Sequence, residues 1–144
     1  VTVQRHSSGG PWEDTFAYSR AVRTGDRILV SGCTAVREGA AEHLGDPAGQ
    51  ARTAFRTALE SVEALGGSPR DVVRTRMYVV HRRDAEAVGR VHGELFADVR
   101  PAASMLVVAG LISPELLVEV EVEAVVGSTE ALPVETGVAG EDAP

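Results

Sequence analysis

Near the carboxyl end the chain reads Val118-Glu119-Val120-Glu121-Val122-Glu123, and no other segment restricts the fold as much. Strict alternation has the period of a strand, so the three valines share one face and the three glutamates the other. The valine face has to be buried. The glutamate face sets like charges side by side, and these repel unless water or cations intervene. Residues 72–80 offer the cations. Arg74, Arg76 and Tyr78 fall on one face of that run, and Val73, Met77 and Val79 on the other. If the two strands are neighbours, arginine meets glutamate across the ladder. The acidic face then has two readings: a solvated or ion-paired surface, or one glutamate held dry at a subunit boundary, where it activates water.

The helical signals are as clear. Ala51, Phe55, Ala58, Leu59, Val62 and Leu65 recur at three- and four-residue steps and predict a helix over 47–65. Asp46 is its N-cap, Pro47 opens the first turn, and Gly66-Gly67 stops it. A second helix is expected over 84–97, capped by Asp84, with Val88, Val91 and Leu95 inward. Gly89 and Gly93 inside it cost roughly 1 kcal/mol each relative to alanine, which predicts close packing there. His92 reads as an interface or surface residue.

Further strands are expected over 16–22 and 27–30, joined at Gly25-Asp26 as a hairpin, and over 104–108 and 116–126. The amino end leaves room for one more. Ser7-Ser8-Gly9-Gly10 and residues 37–47 read as loops, and Ser31-Gly32 as a strand end or bulge. The sum is an α+β layer, one sheet with both helices on one face. In a chain of 144 residues only a partner can cover the other face, so a homo-oligomer is expected.

Composition removes several chemistries. All 14 basic residues are arginine, so Schiff-base lysine, P-loop lysine and lysine general bases are excluded. The net charge of −7 disfavours nucleic acid. Four acids and no base lie in residues 127–144, read as a flexible acidic tail after a single domain over 1–126. No apolar run is long enough to span a membrane and no secretory signal is visible, so the expected location is cytoplasmic. Cys33 is alone and the histidines lack metal-motif spacing, so neither a metal nor a cofactor is expected. Cys33 itself is either a small buried filler or a nucleophile that needs a base brought near in space. Trp12, Phe16 and Tyr18 either pack or line a pocket.

Several segments together resemble the RidA/YjgF family of reactive-intermediate deaminases, also called endoribonuclease L-PSP-like proteins. They are Ala17-Tyr18-Ser19-Arg20-Ala21-Val22, Ile28-Leu29-Val30-Ser31-Gly32, Val73-Arg74-Thr75-Arg76-Met77-Tyr78-Val79, Arg100-Pro101-Ala102-Ala103-Ser104-Met105 and Leu117-Val118-Glu119-Val120-Glu121. The resemblance implies a chorismate-mutase-like fold and a homotrimer with small-molecule pockets between subunits. It also implies hydrolysis of 2-imino or 2-enamino acids to 2-keto acids and ammonia. Carried over by position, the family's tyrosine falls on Tyr18, its Ser-Gly-x turn on Ser31, Gly32 and Cys33, and its last-strand glutamate on Glu119, with Glu121 as the alternative register. The arginine of its Pro-Ala-Arg-Ser motif falls on Ala103, followed by Ser104 and Met105. Alanine cannot bind a carboxylate, and a charge-assisted contact contributes about 1.5–3 kcal/mol. The chain thus resembles a branch that lacks this arginine. The substrate has changed, another arginine (Arg76, Arg100 or Arg20) stands in, or the protein is a non-catalytic trimer that binds a small molecule or a protein.

Overall fold

The computed structural model describes residues 2–128. Gly127 and Ser128 lie in a turn, and the remainder of the expected acidic tail falls outside the described residues. The elements in chain order are β1 (Val3–His6), α1 (Pro11–Phe16), β2 (Ala21–Thr24), β3 (Arg27–Cys33), β4 (Val36–Arg37), β5 (Ala40–Ala41), α2 (Pro47–Ala64), β6 (Val72–Val79), α3 (Ala85–Phe96), β7 (Ala102–Val107) and β8 (Val118–Val125). Six strands form one sheet in the order β1-β2-β3-β8-β6-β7. Only β6 and β7 run parallel; the other neighbours are antiparallel.

Both long helices lie on one face of this sheet, as the α+β reading requires. Val118, Val120 and Val122 are buried there with Ile28, Val30, Met77 and Val79, beneath Phe55, Ala58 and Val62 of α2 and Val88, Val91 and Phe96 of α3. Burying each large apolar side chain contributes about 1.5–3 kcal/mol, which makes this face the main source of stability. α2 starts as expected: the Asp46 side chain accepts the Gly49 amide at 3.0 Å.

Two polar clamps fix the central strand β8 from its ends. Gln50, fully buried on α2, donates from Nε2 to the Glu115 carbonyl at 2.9 Å and accepts the Leu117 amide on Oε1 at 2.8 Å. Asp71 accepts the Gly127 and Ser128 amides at 3.1 Å each. The acidic run is therefore held in register at both ends.

Four expectations need correction. Residues 16–22 are not one strand. Pro11 at the first helical position and Trp12 stacked on Phe16 one turn later favour α1, which Ala17 ends at φ 58°, and β2 starts only at Ala21. The loop over 37–47 contains part of a small β4–β5 hairpin. In α3 the inward residue of the last turn is Phe96, which meets Phe55 edge-on, and Leu95 is exposed. Gly89 and Gly93 are not close-packed: an added Cβ at Gly89 would have its nearest neighbour, Met105 Cε, 3.9 Å away, and at Gly93 nothing within 4 Å. No helix among the described residues is long and apolar enough to cross a membrane.

Candidate active site

The sheet face away from the helices carries the polar ladder expected from alternation. β6 lies beside β8 with Arg74 opposite Glu123, Arg76 opposite Glu121 and Tyr78 opposite Glu119. Arg76 Nη1 lies 3.8 Å from both Glu121 and Glu123, and the Tyr78 hydroxyl donates to Glu121 at 3.0 Å. Burial and the Glu121 carboxylate together hold the Tyr78 phenol up, in its protonated state. Arg74 donates to Ser104 Oγ at 2.9 Å. Glu121 and Glu123 thus share one cation within the ladder.

Glu119 does not, and its position depends on the neighbouring strand. The β3–β8 register shifts between Val30 and Cys33, the bulge anticipated at Ser31-Gly32. Gly32 sits in that bulge. A Cβ there would stand 2.9 Å from Glu119 Cδ and 3.0 Å from Oε2. Only glycine lets the carboxyl group lie across the strand. Burial raises the Glu119 pKa above the usual carboxylate value, Glu121 adds to the shift, and Arg20 partly offsets it.

Arg20 is the cation of this corner. Its Nη1 donates to the Gly32 carbonyl at 2.6 Å and to Cys33 Sγ at 3.6 Å, and Nη2 donates to the Tyr18 hydroxyl at 3.4 Å. Its guanidinium carbon lies 5.6 Å from the centre of the Tyr18 ring, within cation–π range. Ser31 Oγ donates to the Ser19 carbonyl at 2.7 Å, which ties the bulge to the segment bearing Tyr18 and Arg20. Cys33 is buried. Burial pushes its thiol up, Arg20 pulls it down and Glu119 pushes it up again, so the thiol form is favoured.

Tyr18, Arg20, Ser31, Gly32, Cys33 and Glu119 therefore meet at one end of β3. Arg76 is committed to the ladder. Ala103, Ser104 and Met105 lie on the edge strand β7, separated from β8 by β6. Ala103 pairs with Thr75, whose side chain is buried on the helix side, so Ala103 faces that side too. Arg100 is exposed in the turn after α3, at φ 52°. Gln50 and the buried Glu13, which accepts the Ser8 and Gly10 amides at 3.2 Å, were not singled out in the sequence. Gln50 left one signal, a polar residue next to the apolar stripe of α2. His92 needs correction: it lies under the sheet against Phe55 and Phe96, with Nε2 2.7 Å from Thr75 Oγ1. Burial lowers its pKa.

Fold and site together define an α+β unit built on one six-stranded sheet, with an acid–arginine corner on the face away from the helices. Residues 13–126 match the family model described as Endoribonuclease L-PSP. An uncharacterized protein of Streptomyces coelicolor is 46% identical over 129 residues, 90% of this chain and 96% of the relative. The 3-aminoacrylate deaminase RutC of Acinetobacter baylyi is 31% identical over 104 residues, 72% of this chain and 82% of RutC. A crystal structure of a YjgF/YER057c/UK114 family member from Mycobacterium tuberculosis superposes with a TM-score of 0.79 at 39% identity, covering 87% of this chain and all of that one. The chain belongs to the endoribonuclease L-PSP family, known also as YjgF/RidA, and has its chorismate-mutase-like fold.

Proposed function

We propose that the protein hydrolyses a small imine or enamine metabolite to a carbonyl compound and ammonia, in a crevice where the subunits of a homotrimer meet. The observation that carries this reading is the Glu119 carboxyl group, half-buried on the sheet face away from the helices, seated on Gly32 and raised in pKa. An enamine takes a proton on carbon and gives one up from nitrogen to become an imine. Water adds across the C=N bond, and the carbinolamine expels ammonia as the carbonyl forms. One water is consumed, one ammonia is released, and nothing is oxidised. Glu119 takes a proton from the attacking water and returns it to the departing nitrogen; a carboxyl group with a raised pKa suits both transfers. Tyr18 and the Ser31-Gly32-Cys33 turn wall the pocket.

A trimer accounts for the residues that stand apart. Within one subunit β6 separates the β7 residues from Glu119, and Ala103 and Met105 face the helix side. Arg100 and Ser104 reach the Glu119 corner from a second copy that brings its β7 edge to Gly32. The exposure of Leu106 (46%) and Val107 (48%) on β7 supports such a contact. Alanine at position 103 favours the competing reading, a trimer that binds a small metabolite without turning it over.

An amino-acid oxidase can generate 2-iminopropionate in situ while pyruvate and free ammonia are followed. The protein should accelerate their release, and Glu119→Gln should lower that acceleration by about a hundredfold or more. The wild-type rate should fall as acid protonates Glu119. The variant should lose this limb. A Glu119→Gln protein as active as wild type removes the assigned role. No acceleration on any of several imino acids leaves the binding reading, and a monomer in solution scattering removes the shared crevice.

A further inference from the structure

Resting on the deaminase reading above, we propose that Arg20 holds the substrate's carboxylate in this chain, so that the substrates are 2-imino or 2-enamino acids although residue 103 is alanine. The ladder excludes one alternative: Arg76 is shared between Glu121 and Glu123. Register excludes Arg100 of the same subunit. Ala102, two residues beyond Arg100, is level with Arg74 and Glu123, whereas Glu119 is level with Tyr78 and Leu106. Those levels are four residues apart, about 13 Å along the sheet.

Arg20 differs from both. Among the described residues Arg23, Arg37, Arg52, Arg76 and Arg90 each form an ion pair with a carboxylate, and Arg20 forms none. It is half-buried, and its charge reaches Glu119 closely enough to shift that group. Its hydrogen bonds are also one-sided. Nη1 is used by the Gly32 carbonyl and Cys33, and one Nη2 hydrogen by Tyr18. The Nε hydrogen and the second Nη2 hydrogen have no protein acceptor among the described residues. Nε and Nη2 share one edge of the guanidinium plane, the fork that grips a carboxylate with two parallel bonds, and from these two atoms only the 3.4 Å contact to Tyr18 is made among the described residues. The bond from Nη1 to the Gly32 carbonyl ties this fork to the residue that seats Glu119. A carboxylate held by Arg20 would set the adjacent carbon beside the proton-transferring group.

The test compares binding of 2-oxobutyrate with binding of its uncharged methyl ester, by titration calorimetry on the wild-type protein, Arg20→Gln and Arg20→Lys. The wild type should prefer the acid by about ten- to a hundredfold, the range for a charge-assisted contact. Arg20→Gln should bring the ratio near one by weakening the acid alone, and Arg20→Lys should restore part of it, since a point charge lacks the fork. If Arg20→Gln does not fold, a several-fold loss of preference in Arg20→Lys serves the same purpose. A wild type without preference, or a variant that keeps it in full, overturns the assignment. Deamination of imines with discrimination untouched by Arg20 would sink the anchor and leave the deaminase standing. Discrimination that depends on Arg20, without turnover of any imino acid, would do the reverse.

Discussion

The two faces of the β8 strand are built from the same six residues and obey different rules. On the helix side Val118, Val120 and Val122 are sealed under α2 and α3, and the polar groups nearest β8 have protein partners: Gln50 with Glu115 and Leu117, Thr75 with His92. On the other side Glu119, Glu121 and Glu123 stand on a surface that no element among the described residues covers; Glu121 and Glu123 share Arg76, and Tyr78 donates to Glu121. The helix side supplies stability through area removed from water. The open side retains one carboxyl group with a raised pKa and, beside it, Arg20, which forms no ion pair among the described residues. A face that needed only to be soluble would have no use for a bulge and a glycine that seat Glu119.

If the division holds, damage to one face should leave the other's property intact. The largest effect is expected from Phe55→Ala, which empties the space between α2 and α3 and should cost about 3–5 kcal/mol in urea unfolding. Any variant that remains folded should keep its Glu119-dependent chemistry. Gly32→Ala does the opposite. Its Cβ would meet the Glu119 carboxyl group at 2.9 Å, and a displacement of about 1 Å can cost on the order of a hundredfold in rate. Turnover should fall by that order while the unfolding midpoint moves little. A large loss of stability with unchanged turnover would break the comparison. A smaller effect returns to the helix side. Burial lowers the His92 pKa, so the unfolded chain binds its proton more readily than the folded one. Stability should therefore be fully present above the free histidine pKa of about 6.5 and decline as pH falls towards the folded value. His92→Gln should flatten that limb in pH-dependent melting curves and leave the low-pH loss of activity, assigned to Glu119, in place.

Much of this was legible in the residues. The Val-Glu alternation marked β8 and its two faces, and the Arg74-Arg76-Tyr78 run made β6 a candidate neighbour, which the register bears out, because period-two patterns fix the face of every side chain. The stripe in 47–65 and its Asp46 cap located α2. Residues 16–22 look like a strand because Phe16 and Tyr18 alternate, whereas the helix-opening Pro11 and the four-residue Trp12–Phe16 step carry the local preference. His92 is misleading for a related reason. A histidine at helical spacing has the same sequence signature whether it meets solvent or a buried threonine on a distant strand.

Local pattern thus determined the long helix α2, the strands β6 and β8, the face that β8 buries, and that one side of the sheet would be acidic, since these depend on spacing along the chain. The family resemblance, rather than the pattern, pointed to Glu119 (with Glu121 as the alternative), Tyr18 and the Ser31-Gly32-Cys33 turn as members of one site. Which glutamate stays free of the ladder, that Gly32 seats it, and that Arg20 is the nearby arginine without an ion pair among the described residues were decided by the tertiary structure alone. Each of these depends on the register of β8 against β3 and β6, and register is set by contacts between segments that lie dozens of residues apart.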